Sequence, residues 1–235
     1  MNMDLSTITF GSCGKKKQGK TTATLKAVFE FDPCILWVFD HELKVHQALK
    51  KMFPKQDFPV AMTREELKAQ VDEAHTKAEN GTGGIIIFSP AILYPADFEK
   101  GFEEFCSLME KCVIQLNDHR GDKTIPCALM VDEIQFLVSH KTPPTPVRKM
   151  LESIRHYDMS LFFTCQILAD LPRNVRGQIN WLKIFRHEDE NTVKPLTKKG
   201  FTEEQIMNLK QFECLEKIDD DVLELIGRKS APKKG

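Results

Sequence analysis

A glycine, four intervening residues and then Gly-Lys-Thr constrain this chain more than any other feature. The stretch Gly14-Lys15-Lys16-Lys17-Gln18-Gly19-Lys20-Thr21 meets the phosphate-loop pattern G-x-x-x-x-G-K-[ST] at every fixed position. Its context is also the one the pattern needs. Thr7-Ile8-Thr9-Phe10 before it is a β-branched and aromatic run, and Thr22 to Phe29 after it has helical spacing of apolar residues. Such a loop turns consecutive backbone N–H groups around an anion, and the helix that follows presents its positive end to the same charge. The residues expected to hold a nucleoside triphosphate are therefore Gly14, Lys15, Lys16, Lys17, Gln18, Gly19, Lys20, Thr21 and Thr22. Lys20 would reach the outer phosphates, and the Thr21 hydroxyl would offer a ligand to Mg²⁺.

Length and charge limit the rest. At 235 residues the chain suits one large α/β domain, read here as 1–227 followed by a basic tail at 228–235. A formal net charge of −1 supplies no global field toward nucleic acid, so such contacts must come from local basic patches. Seven cysteines without a C-x-x-C pair argue against a disulfide framework or a zinc site, and imply a reducing cytoplasm. No apolar run approaches the ~20 residues of a membrane span.

Along the chain, apolar runs alternate with helical patterns, which predicts a mostly parallel central sheet flanked by helices. Strands are expected at Cys34–Phe39, Phe58–Met62, Gly84–Phe88, Ala128–Val131, Ser160–Gln166 and Trp181–Arg186. Helices are expected from Leu43 to Met52, from Thr63 to the breaker Asn80–Gly84, from just after Pro95 through Phe98 to about Leu116 and from Val147 to Tyr157. Thr63 with Glu66 reads as a capping box, and Thr202-Glu203-Glu204 looks like another. The phenylalanines at 98, 102 and 105 share one helix face and read as core. Cys214 to Ile226 reads as a hairpin or a helix.

Three further signals carry chemistry. Ala128-Leu129-Met130-Val131 ends in Asp132-Glu133, the Walker B form: Asp132 as a Mg²⁺ acid beside Thr21, Glu133 as the base that orients and deprotonates water. A glutamate directly after the aspartate marks the ATPase branch in which another strand stands between the two motifs. Gln166, at the carboxyl end of its strand, is placed to sense a γ-phosphate. Finally, Arg155, Arg173, Arg176 and Arg186 include candidates for an arginine that reaches a neighbouring subunit's nucleotide.

These residues together resemble the FtsK–HerA superfamily of ring-forming ATPases. The likeness is carried by Gly14 to Thr21, by Val131-Asp132-Glu133, and by the block Ser153 to Gln166 followed by Leu171-Pro172 and Val175-Arg176. The compact size looks most like the genome-packaging ATPases of tailless icosahedral viruses with an internal membrane. The resemblance implies a P-loop NTPase fold of the ASCE, RecA-like kind, with ATP and Mg²⁺ as cofactors. It also implies catalytic roles for Glu133, Lys20, Gln166 and Arg155, with Arg148 and Arg186 as other trans-acting candidates. Double-stranded DNA held without regard to sequence, capsid vertex or portal proteins, and a hexameric or pentameric ring of identical subunits are the implied partners. The expected location is the host cytoplasm or the packaging vertex of a virion.

The sequence departs from that family in two places. Three lysines occupy loop positions where small residues are usual, which would tighten nucleotide and slow product release, and Cys165 rather than Thr precedes Gln166. The segment His140-Lys141 and the stretch Arg173 to Arg176 are candidate DNA contacts. A nucleotide-dependent assembly switch and a DNA-export or conjugation-type motor are the alternative readings.

Overall fold

The computed structural model of the chain describes residues 7–118, 125–138, 159–219 and 221–226. The expected helix Val147–Tyr157, the loop with His140 and Lys141, Arg148, Arg155 and the basic tail lie outside the described residues.

The strands are β1 (Thr9–Cys13), β2 (Ile35–Phe39), β3 (Val60–Ala61), β4 (Gly84–Phe88), β5 (Cys127–Val131), β6 (Met159–Cys165), β7 (Trp181–Phe185), β8 (Cys214–Ile218) and β9 (Asp221–Ile226). They form one sheet in the order β3-β4-β2-β5-β6-β1-β7-β8-β9. Every pairing from β3 to β7 is parallel, and β8 and β9 close the far edge as an antiparallel hairpin. β6 stands between β1 and β5, the inserted strand that the adjacent Asp and Glu led us to expect.

Helices α1 (Lys20–Phe31), α2 (Lys44–Met52), α3 (Arg64–Glu79), α4 (Phe98–Asp118) and the short α5 (Gln135–Val138) follow the strands in turn. Later come α6 (Arg173–Gln178), α7 (Glu190–Thr197) and α8 (Glu203–Met207). Thr63 and Glu66 form the expected capping box on α3, and Thr202 forms one with Gln205 on α8. Among the described residues no helix is long and apolar enough to cross a membrane.

Alternation along the strands sorts the core onto two faces. On one, Ile35, Trp37 and Phe39 pack with Ile86, Phe88, Phe102, Phe105, Met109 and Val113. On the other, Leu36, Val38, Phe10, Met130 and Phe162 meet Leu25, Val28, Val45 and Leu49 of α1 and α2. Phe102 and Phe105 are fully buried, with ring centroids 4.9 Å from Phe39 and 5.7 Å from Trp37 respectively, so the phenylalanine stripe is core as expected.

Two elements are set by tertiary contacts rather than by local preference. β1 runs on through Gly11, Ser12 and Cys13, because pairing with β6 on one side and β7 on the other overrides the weak strand preference of those small residues. α7 forms despite Pro195 within it. A mid-helix proline costs about 3 kcal/mol, but α7 buries both Val193 and Leu196 completely. Each burial contributes about 1.5–3 kcal/mol, enough to offset the proline.

Candidate functional site

All the parallel strands end on one edge of the sheet, so the loops after β1, β2, β5 and β6 converge there. The loop after β1 begins at Gly14, with φ of 153°, where an added Cβ would stand 2.6 Å from the Phe185 Cβ of β7. Lys17 (φ 62°) and Gly19 (φ 94°) take left-handed conformations. That alternation turns backbone N–H groups inward, the nest that cradles phosphate. Gly19 caps α1 without a side-chain hydrogen bond, so the first N–H groups of this twelve-residue helix remain available to an anion. Lys20 is 6% exposed; its Nζ donates to the carbonyls of Gly14 (2.7 Å) and Lys15 (3.0 Å) and lies 3.6 Å from Glu133 Oε1.

Asp132 and Glu133 leave the end of β5 and are both buried. The Asp132 Oδ1 atom accepts from Thr21 Oγ1 at 3.0 Å and from Thr164 Oγ1 at 2.9 Å. Its Oδ2 atom is buried without a hydrogen-bond partner. Burial pushes the Asp132 carboxyl above the usual carboxylate range, the Thr164 hydrogen bond pulls the other way, and the neighbouring Glu133 charge raises it further. A buried carboxylate oxygen without a donor, next to a threonine hydroxyl at the start of α1, suits a small hard cation. No cluster of three or more His, Cys, Asp or Glu side chains among the described residues could hold a metal alone. A cation on Thr21 and Asp132 would therefore complete its shell with phosphate oxygens and water, the habit of Mg²⁺.

Glu133 takes a left-handed backbone (φ 53°), and its N–H donates to Thr164 Oγ1 at 2.8 Å. Gln166 Nε2 donates to Glu133 Oε2 at 3.0 Å, and Gln135 Nε2 donates to the same oxygen. The structure thus brings Gly14, Lys20, Thr21, Asp132, Glu133 and Gln166 together. Arg155 lies outside the described residues. Arg186 pairs with Glu188, 3.3 Å away, and Glu188 also takes the ammonium of Lys15. Of the three loop lysines, Lys15 is thus drawn toward Glu188 in the same chain, while Lys16 and Lys17 are exposed.

Sequence reasoning missed three residues here. Thr164 bridges the two acids; its signal was its place two residues before Gln166, on the strand that separates β1 from β5. Gln135 gives no signal beyond its polarity in an apolar run. Asp40, at the end of β2, is wholly buried, and its Oδ2 accepts from the His46 N–H at 2.8 Å. Burial pushes its carboxyl up to about 6, and the nearby Asp132 charge adds to that. His41 beside it packs on Phe98 and Phe136, with its imidazole pushed down by burial.

The sheet order and the loop after β1 are those of the α/β P-loop NTPase fold. No protein-family model matches the chain, and no curated protein matches it by sequence. Solved structures do match. The genome packaging NTPase B204 from Sulfolobus turreted icosahedral virus 2, in complex with AMPPCP, is 16% identical, with 96% of this chain and 98% of that one covered at a TM-score of 0.63. B204 described as the DNA-packaging ATPase of Sulfolobus Turreted Icosahedral Virus is 16% identical over 95% and 98% of the two chains, also at 0.63. VirB4 of Thermoanaerobacter pseudethanolicus is 13% identical over 99% and 92%, at 0.60. At these identities the likeness is one of fold across the whole chain.

Proposed function

We propose that the chain is an ATP-hydrolysing motor that moves double-stranded DNA into a preformed capsid. The observation that carries the reading is the Glu133 carboxylate, held between the Gln166 amide and the Lys20 ammonium and next to the Thr21–Asp132 pair. That arrangement suits hydrolysis. Gln166 fixes Oε2 of Glu133, and Oε1, which faces the Lys20 ammonium at 3.6 Å, is the oxygen that would take a proton from water once Lys20 engages the phosphates. As the water oxygen bonds to the γ-phosphorus and the bond to the β-phosphate oxygen breaks, that proton passes to Glu133 and leaves ADP and phosphate. Lys20 and the N–H groups of the loop stabilise the charge that develops. Mg²⁺, held by Thr21 and Asp132, would neutralise phosphate charge. Gln166, tied to the same glutamate, is suited to register the γ-phosphate.

The choice of DNA as cargo is supported by the fold shared with the B204 packaging enzymes. A ring of identical subunits would repeat a few basic side chains around a channel, which answers how a chain of net charge −1 holds a polyanion. Arg155 is proposed to act across the subunit boundary, and capsid vertex proteins to dock the ring. The site of action would be the host cytoplasm or the packaging vertex.

The test is steady-state ATPase activity of wild type and Glu133→Gln, with and without linear duplex, at two salt concentrations. Wild-type turnover should rise several-fold with duplex and lose that gain at high salt, and Glu133→Gln should retain nucleotide binding with turnover abolished. Turnover indifferent to duplex, even with capsid-vertex proteins added, would favour a nucleotide-dependent assembly switch.

A further inference from the structure

The nucleotide reading accounts for the phosphates but leaves the base without a partner, and the turn between α8 and β8 offers one. Phe212 lies in that turn with φ of 69°, a conformation L side chains rarely adopt. The turn is fastened around it: the Glu213 N–H donates to the Lys210 carbonyl at 3.1 Å, and the Lys210 N–H donates to Glu213 Oε2 at 2.9 Å. It is also tied to the phosphate loop, because Gln211 Nε2 reaches the Lys17 carbonyl at 3.4 Å.

The ring itself leans on the loop. A Cβ built on Gly19 would stand 3.2 Å from Phe212 Cδ1, so the bare Cα of the residue before Lys20 is what admits the ring. Yet Phe212 is 42% exposed. A large aromatic in left-handed backbone, with much of its surface in solvent, thus stands against the glycine that caps the phosphate-binding helix. Strained backbone of this kind marks places where a side chain is being presented.

We infer that Phe212 is the platform on which the base of the bound nucleotide stacks. The inference rests on the nucleotide reading above. With the triphosphate in the loop and against the start of α1, the ribose and base must leave along one flank. Phe212 is an aromatic face already fixed on a flank of the loop. Stacking on an aromatic ring is a face-to-face contact that every base can make, so it adds affinity without edge recognition.

Binding measured by titration calorimetry with Mg²⁺ separates this from a structural role, using ATP and inorganic tripolyphosphate as the two probes. Wild type should bind ATP more tightly than tripolyphosphate. Phe212→Ala should weaken ATP by about five- to a hundredfold, the range one base–aromatic stack supplies, and leave tripolyphosphate within about twofold. Phe212→Tyr should keep ATP within about twofold, because the stacking face is retained. Unchanged ATP affinity in Phe212→Ala would overturn the inference, as would a parallel loss of both ligands, which would mean that the ring merely supports the loop. Lys20→Ala is the control on the underlying reading: it should lose both ligands, and if it binds both like wild type the phosphate site itself is misassigned.

Discussion

Replacing Thr164 by valine tests whether one buried hydroxyl holds the two acids in place. The hydroxyl accepts from the Glu133 N–H at 2.8 Å and donates to Asp132 Oδ1 at 2.9 Å, with the side chain fully buried on β6. Valine keeps the shape and removes both bonds. The Glu133 N–H then becomes a buried donor without a partner, at about 1–3 kcal/mol, and Asp132 loses a hydrogen bond to a charged group, of about 1.5–3 kcal/mol. Relief from burying the hydroxyl returns about 1 kcal/mol, leaving a net loss of about 3 kcal/mol. Thr164→Ser keeps the oxygen and removes a methyl, about 1 kcal/mol. Urea unfolding should therefore place the valine variant about 2 kcal/mol below the serine variant, with equal slopes. Asp132 also loses the bond that opposes its burial, so its carboxyl climbs further, and Mg²⁺-dependent nucleotide binding should shift to higher pH. Equal midpoints for the two variants would refute the bridging role.

Asp40→Asn should remove a pH dependence. A carboxyl raised to about 6 in the folded state binds its proton more tightly than in the unfolded chain, so its stabilising effect is present at low pH and is lost as pH rises through 6. Between pH 4.5 and 7.5, in EDTA, wild type should lose about 2 kcal/mol relative to Asp40→Asn, read from urea midpoints at both pH values. Two glycines should respond oppositely to alanine. At Gly14 the new Cβ would meet Phe185 at 2.6 Å in left-handed backbone, and Gly14→Ala should lose about 2 kcal/mol or more and with it nucleotide binding. At Gly177 in α6 nothing lies within 4 Å, and Gly177→Ala should raise the melting point, by up to about 1 kcal/mol of stability.

What the sequence made legible follows from which signals are local. Continuous apolar runs such as Ile35–Phe39 and Gly84–Phe88 have no other low-energy use than buried parallel strands, and the phosphate loop fixes its own geometry through Gly14 and Gly19. The boundaries of β1 were not local: Gly11-Ser12-Cys13 are strand only because β6 and β7 flank them. Likewise α7 is a helix because tertiary burial of Val193 and Leu196 outweighs Pro195. The two acids proposed for the site, Asp132 and Glu133, stand at the end of their own strand and were readable there. Their support was not, since Thr164 and Asp40 become neighbours of Asp132 only through sheet order, with β5 placed between β2 and β6. Phe212 was hidden for the same reason, 193 residues from the Gly19 it rests on.

That convergence has an electrostatic consequence. Asp40, Asp132 and Glu133 crowd the carboxyl ends of β2 and β5, against Lys20, which is 3.6 Å from Glu133, and Lys44, whose charge acts on Asp132. A triphosphate brought there alone meets carboxylates in a site where repulsion is weakly screened. With Mg²⁺ the same carboxylate would become a ligand. Asp132→Asn should therefore change sign with the metal. In EDTA, losing one negative charge at a separation of about 8 Å from a phosphate charge, at an effective dielectric near 20, relieves about 2 kcal/mol, raising ATP affinity by about thirtyfold. In Mg²⁺ the variant should bind ATP more weakly than wild type, because a neutral amide is a poorer ligand for a hard cation. Calorimetry in the two buffers reads both arms. If Asp132→Asn weakens ATP equally with and without Mg²⁺, Asp132 is holding the site's structure and not the metal.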